Sequence, residues 1–165
     1  MKLNGFKIGF ILTLATSFCN GQNPGYRNAI SLELTTIGKN MPGSLLLKYD
    51  YSFKFAESGF WSTNIGVGGF YGSAWNGLAV RPGLSYNFGR KNRFLEMGIT
   101  GSYVNEYYDN YSPPRNIYWN IGPQIGYRSV SSKGIQFRVY TGISVGTTTF
   151  STGGISIGWA FARSK

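Results

Sequence analysis

Histidine is absent from this sequence of 165 residues, and acidic residues number only 6. The absence of histidine disfavours Ser-His-Asp catalysis and the common histidine-ligated zinc sites. The single cysteine, Cys19, lies near the amino terminus, so we expect neither a disulfide nor thiol chemistry in the rest of the chain. The sequence therefore predicts no catalytic residues, no metal site and no cofactor.

Long apolar runs are also missing, and the apolar run at residues 8–15 is too short to span a bilayer as a helix. Two lysines flank the start of this run and small residues follow it, which is the layout of a secretory signal peptide. We expect cleavage after Gly21, which leaves residues 22–165 as one domain. Lipidation at Cys19 and a buried amino-terminal helix are the alternatives; a bulky Phe18 disfavours the first, and the lysines disfavour the second.

Glycine (24 residues) and aromatic side chains (17%) are abundant, which suits closely packed strands better than helices. Residues 154–162 read GISIGWAFA, so apolar side chains share one face and small ones the other. The same alternation recurs along the chain. The predicted strands cover residues 28–37, 44–53, 60–71, 78–88, 93–104, 117–128, 135–145 and 154–162.

Within the fourth predicted strand, Pro82 predicts a bulge or a local irregularity, because proline lacks an amide hydrogen for the ladder.

An even number of strands places both chain ends on one side. The connections on that side, 54–59, 89–92 and 129–133, are short, and the longest connection, 105–116, falls on the other side. Short periplasmic turns and longer external loops are typical of outer-membrane barrels. Each predicted strand is long enough to cross a bilayer when tilted. The sequence thus predicts an all-β fold, an eight-stranded antiparallel up-and-down transmembrane β-barrel.

Aromatic residues cluster near the predicted strand ends, as the belts of a membrane barrel do. The predicted girdle consists of Trp61, Phe88, Trp119, Tyr127, Trp159 and Phe161.

Two segments carry a family resemblance, GWAF at Gly158–Phe161 and RPGLSYNFG at Arg81–Gly89. Through them, residues 26–165 resemble the small outer-membrane barrels of the OmpA/OmpX type and the wider outer membrane protein β-barrel family. The chain departs from that pattern by continuing through residues 163–165. The resemblance implies a porin-like architecture in the outer membrane of a Gram-negative cell. It also implies contact with outer-membrane lipid and with the barrel assembly machinery, but no activity.

Seven charged residues fall on the predicted inward faces: Glu33, Lys48, Asp50, Arg81, Glu96, Arg128 and Arg138. Side chains fill the interior of an eight-stranded barrel, and buried charges need partners. We interpret the seven as a salt-bridge network that plugs the lumen, with Glu33–Lys48 and Arg81–Glu96 as expected pairs. A narrow polar conduit or small-ligand site is the alternative. A filled lumen offers no cleft for carboxylate catalysis.

The predicted loop 105–116 is a candidate external binding loop through Tyr107, Tyr108, Tyr111 and Arg115, because exposed tyrosines make good recognition surfaces. The alternative is that its tyrosines belong to the girdle.

The formal net charge is +10, but the basic residues form no helix or stripe, so we expect no nucleic-acid partner. The predicted function is a non-enzymatic outer-membrane barrel with an envelope-structural or surface-interaction role and an unknown surface ligand. A secreted lipocalin-like barrel that binds an apolar ligand and a lipid-modifying barrel enzyme are the alternatives.

Overall fold

The computed structural model describes residues 26–36, 43–71, 75–108 and 116–163, so the predicted signal peptide lies outside the described residues. Eight strands follow one another along the chain, at the places where alternation predicts them. They are β1 (Tyr26–Thr35), β2 (Ser44–Ala56), β3 (Gly59–Tyr71), β4 (Trp75–Arg90), β5 (Arg93–Tyr108), β6 (Asn116–Val130), β7 (Ile135–Gly146) and β8 (Phe150–Arg163). The described part of the chain contains no helix that is long and apolar enough to cross a membrane.

Each strand pairs antiparallel with its neighbours in sequence, and β8 pairs with β1 to close the barrel. At the seam, Ser31 lies opposite Gly158 and Leu34 lies opposite Ile155. Closure pairs the backbone groups that an open sheet would leave exposed at its edges. The predicted up-and-down antiparallel barrel is confirmed.

The two faces of the barrel wall are reversed relative to a soluble protein. Large apolar side chains cover the outside, where Ile157 and Trp119 are each 62% exposed, while polar side chains are buried inside. Apolar patches as extensive as this normally contact lipid or another protein. The outward and inward residues are those that the period of two predicts.

The barrel has two unlike rims. We call the rim with the turns at 57–58, 91–92 and 131–134 the turn rim, and both described chain ends, Tyr26 and Arg163, lie there. The opposite rim, here the loop rim, carries the connections at 36–43, 72–74, 109–115 and 147–149. On this rim, residues 37–42, 72–74 and 109–115 lie outside the described residues.

The predicted boundary of the longest loop is wrong. Residues 105–108 continue strand β5, because Tyr107 pairs with Asn76 and Tyr108 with Trp75 on a strand β4 that also begins earlier than predicted. Tyr107 and Tyr108 are therefore strand residues rather than loop residues. Tyr111 and Arg115 lie outside the described residues.

Pro82 interrupts a ladder without producing a bulge. The β4–β5 register is the same on both sides of it, with Val80 opposite Tyr103 and Gly83 opposite Thr100, and the intervening pairs are missing. The Thr100 hydroxyl donates to the Pro82 carbonyl oxygen over 3.2 Å. The expected irregularity is thus a local loss of pairing, and the strand continues because its other edge stays paired with β3.

The register shift lies instead in β2, between Phe53 and Ala56, where Lys54 has a φ of 49°. A bulge adds a residue to one strand and is common at barrel rims. Sequence alternation alone did not predict it.

Candidate functional site

The interior of the barrel is the candidate site, because alternate residues of the strands project their side chains into it. The structure buries all seven inward charged residues of the predicted network, each with at most 4% of its surface exposed. They come from six strands, β1, β2, β4, β5, β6 and β7. The barrel thus gathers, in one lumen, charges that are up to 105 residues apart in sequence, as between Glu33 and Arg138.

Glu33 is a shared acceptor in this lumen. Its Oε2 lies 3.1 Å from Lys48 Nζ and 3.8 Å from Arg138 Nη1, and its Oε1 lies 2.9 Å from Arg81 Nη1. The Glu33–Lys48 contact is the one that the sequence analysis expected. A carboxylate with three cationic neighbours has its buried charge well compensated.

The remaining charges complete a closed circuit. Arg128 bridges Asp50, at 2.8 Å, and Glu96, at 3.4 Å. Arg138 binds Glu96 and so links it to Glu33, while Lys48 lies 4.0 Å from Asp50. We call this circuit the lumen ring; in order, it runs through Glu33, Lys48, Asp50, Arg128, Glu96 and Arg138 and back to Glu33.

Tyr140 joins the ring to Arg81. Its hydroxyl oxygen lies 2.8 Å from Glu33 Oε1 and 2.7 Å from Thr35 Oγ1, and it contacts the Arg81 guanidinium. Two cations also lie close to the tyrosine ring, with Arg81 Cζ 4.6 Å and Arg138 Cζ 5.2 Å from its centroid. Cations over an aromatic face are attracted by its quadrupole. Tyr140 follows Arg138 by two residues and so shares its inward face, but the alternation of the strand does not predict this role.

The expected Arg81–Glu96 pair is wrong. Glu96 pairs across the ladder with Asn87, whereas Arg81 lies six residues farther along β4. Six strand residues span about 20 Å, so these two side chains, although on neighbouring strands, lie at different levels of the lumen. Arg81 instead reaches Glu33 across the barrel.

Glu106 is a buried charged residue that the sequence analysis missed, because it was assigned to the loop. It is 1% exposed, at the end of β5. With Glu106 included, the described lumen holds four acidic residues and four basic ones. Four of the six acidic residues in the whole sequence are therefore inside the barrel, where their charge balances that of the buried bases.

Small groups of apolar side chains are buried in the lumen on both sides of the ring. Toward the loop rim, Leu46, Ala79 and Val104 form a buried cluster with Tyr118 against it. Leu46 lies two residues beyond Lys48 on β2, and Ala79 lies two residues beyond Arg81 on β4. We call these four residues the loop-side cluster.

A second apolar group lies toward the turn rim. Ala29, Val130 and Ala160 form a buried cluster, and Phe60 packs edge-on against Phe94 with ring centroids 5.0 Å apart. We call these five residues the turn-side cluster. The lumen ring therefore lies between two groups of buried apolar side chains, next to which water is disfavoured.

The charged side chains of the lumen are paired with one another. Glu33, Asp50 and Glu96 are each committed to ion pairs. Among the described residues, no group of His, Cys, Asp or Glu side chains has an arrangement that would hold a metal ion. What the geometry does chemically is to neutralise buried charge.

The predicted girdle residues lie on the outer wall. Trp61, Phe88, Trp159 and Phe161 are exposed near the turn rim, and Trp119 is exposed near the loop rim. Tyr127 is half-buried on the outward face of β6. The positions near the two rims are those at which interfacial aromatic residues occur in membrane barrels.

No protein-family model matches the chain, and no curated protein matches it in sequence. Its fold is similar to that of the N-terminal β-barrel domain of Pseudomonas aeruginosa OprF, at 12% identity and a TM-score of 0.58, covering 86% of this chain and 100% of that one. It is also similar to Ail of Yersinia pestis, crystallised with the heparin analogue sucrose octasulfate (9% identity, TM-score 0.53, 81% and 95% covered). The fold is similar as well to that of Neisserial surface protein A, at 10% identity and a TM-score of 0.51, covering 84% of this chain and 97% of that one.

These identities are low and concern the fold alone. The chain has the fold of the small eight-stranded outer-membrane β-barrels, as the sequence resemblance implied.

Proposed function

We propose that the protein is a sealed, non-enzymatic outer-membrane β-barrel with a structural or surface-interaction role in the envelope. The observation that carries the proposal is the combination of an apolar outer wall with a closed ring of ion pairs inside. An eight-stranded barrel leaves room only for side chains in its interior, and here they are mutually paired charges. Such a molecule resists unfolding in lipid and leaves no aqueous channel.

The proposed orientation places the turn rim in the periplasm and the loop rim outside the cell. Its support is the length of the connections, since short turns face the periplasm in bacterial barrels. Surface interaction is then assigned to the loop rim, where the residues proposed earlier, Tyr107, Tyr108, Tyr111 and Arg115, lie on or beside the 109–115 connection. Export by residues 1–21 and insertion by the barrel assembly machinery belong to the same proposal.

The two alternative functions, apolar-ligand binding and lipid modification, each require a different kind of lumen. A lipocalin-like barrel requires an apolar interior for its ligand, whereas here the large aliphatic side chains of Leu47, Ile65 and Ile157 are on the outside. A lipid-modifying enzyme requires a reactive group that lipid can reach. The buried carboxylates Glu33 and Glu96 are at most 1% exposed and already paired, which supports a non-catalytic role.

The proposal is tested first by fractionation and by gel mobility with and without boiling. We expect the protein in the outer-membrane fraction, and we expect its mobility to change only after boiling, because a closed barrel resists detergent until heated. Recovery from the periplasm or medium without a mobility change would contradict the membrane assignment.

Conductance tests the seal. We expect the purified barrel, inserted into planar bilayers, to show no single-channel steps above those of protein-free bilayers. Regular current steps would establish the polar-conduit alternative, in which the lumen ring lines a path for ions.

A further inference from the structure

The exposed charges of the described residues are gathered on one rim. Every Lys or Arg side chain seen to be exposed lies at the turn rim, and the one exposed acid of the described residues, Glu57, lies there too. No described residue of the loop rim has an exposed charged side chain. The exposed basic residues are Arg27, Lys54, Lys91, Arg93 and Lys133.

The turn rim has an excess of positive charge because the buried charges of the barrel cancel one another. The buried acids and bases are equal in number, four of each. The lumen therefore contributes no net charge, and the positive charge of the described barrel is displayed at the turn rim. A concentrated charge of one sign produces a potential that attracts anions.

The basic side chains lie just beyond the apolar wall. Arg93 precedes the outward Leu95 by two residues, and Lys133 precedes the exposed Ile135 by two residues. Two strand residues span about 7 Å, and the headgroup layer on each side of the hydrocarbon core is about 5–8 Å thick. The long side chains of Lys and Arg reach from such positions into the headgroups.

We propose that the turn rim is a binding surface for the phosphate groups of anionic phospholipids in the adjacent leaflet. The inference rests on the proposed function, and in the proposed orientation this leaflet faces the periplasm. The basic residues are distributed around the rim, on β1, on β2, at the 91–92 turn, on β5 and at the 131–134 turn. This spacing fits several headgroups side by side rather than one soluble phosphate ion, and the adjoining apolar wall favours lipid over an acidic protein.

The test measures which lipids surround the full mature barrel in a bilayer. The barrel is reconstituted in mixtures of phosphatidylcholine and phosphatidylglycerol, with either lipid brominated to quench tryptophan fluorescence. Trp61 and Trp159 are exposed near the turn rim and report on that leaflet. We expect phosphatidylglycerol to quench preferentially, and the preference to fall as the salt concentration rises.

The decisive variant is Lys91→Gln/Arg93→Gln/Lys133→Gln. Each basic group near an anionic surface contributes roughly fivefold to binding, so losing three of the five exposed basic residues should reduce the preference severalfold, and the two that remain should carry what is left. The matched control, Lys91→Arg/Arg93→Lys/Lys133→Arg, keeps the charge and should keep the preference. Glu57→Gln, which removes the exposed acid of the rim, should increase it.

Four outcomes would overturn the inference. One is equal quenching by the two lipids, and another is a preference that the triple Gln variant leaves undiminished. The third is charge-dependent binding to isolated peptidoglycan without any lipid preference, which would assign the rim to the cell wall. Competition by millimolar glycerol phosphate would identify free phosphate, rather than the leaflet, as the ligand. If neither brominated lipid quenches, the barrel has not inserted, and it is the proposed function that fails.

Discussion

At the scale of single residues, burial determines what a charge contributes. Glu33 is 1% exposed and has Lys48, Arg81 and Arg138 within ion-pair distance, whereas Glu57 is exposed in a turn. Removing one partner from a buried pair leaves the other charge without compensation, which is far more costly than losing an exposed charge. The two glutamates therefore form a matched pair for experiment.

We predict that Glu33→Ala lowers the free energy of unfolding by about 3–5 kcal/mol, because it leaves Lys48 and Arg81 buried with less compensation. Glu57→Ala should change it by less than about 0.5 kcal/mol. Urea titration of the barrel folded in detergent measures both. Similar effects for the two variants would mean that the lumen is hydrated enough to screen Glu33.

The corrected pairing of Glu96 makes a further prediction at this scale. Glu96 contacts Arg138 but not Arg81. In double-mutant cycles with alanine, the Glu96–Arg138 coupling should reach about 0.5–3 kcal/mol, and the Glu96–Arg81 coupling should be smaller because it acts only through the ring. Both single variants, Glu96→Ala and Arg81→Ala, should destabilise the barrel. Equal couplings in the two cycles would contradict the pairing in the lumen ring.

At the scale of elements, the seam between β1 and β8 depends on small residues. A Cβ atom at Gly158 would lie 2.2 Å from the Ile30 carbonyl oxygen and 2.4 Å from Ser31 Cβ. On the same strand, a Cβ atom at Gly153 would meet nothing closer than 3.4 Å, the distance to the Tyr140 carbonyl oxygen. The abundance of glycine thus reflects, at positions such as Gly158, close approach of neighbouring strands.

We predict that Gly158→Ala lowers the free energy of unfolding by about 1–3 kcal/mol, because the added methyl group pushes β1 and β8 apart. Gly153→Ala, on the same strand, should be close to neutral. The temperature at which each variant loses its unboiled gel mobility provides the comparison. Equal stability of the Gly158→Ala variant and the unchanged protein would mean that β1 and β8 can move apart and still keep their hydrogen bonds.

At the scale of the whole molecule, closure makes the fold all-or-none. The eighth strand pairs with both β7 and β1, so without it two strands have unpaired edges. Unpaired backbone groups cost several kcal/mol each in lipid, so an open seven-stranded sheet is not viable in a bilayer.

We predict that a chain ending at residue 149 shows no boiling-dependent mobility change and does not insert into vesicles. A chain ending at Arg163 should behave like the full protein, because β8 is complete at that residue. Protease protection in vesicles measures insertion of both. Insertion of the shorter chain would show that another segment replaces β8 in the barrel.

The sequence by itself determined the strand number, the outward and inward faces and the set of seven inward charges, because these follow from a period of two within one strand. Only the tertiary structure decided which charged side chains form ion pairs. Arg81 pairs with Glu33, and Arg138 contacts both Glu33 and Glu96. Register and cross-lumen contacts depend on how strands from distant parts of the chain are aligned around the barrel. The sequence did not predict the bulge near Lys54 or the late end of β5 for the same reason. Pairing with a neighbouring strand, and not local alternation, determines where a strand shifts its register or ends.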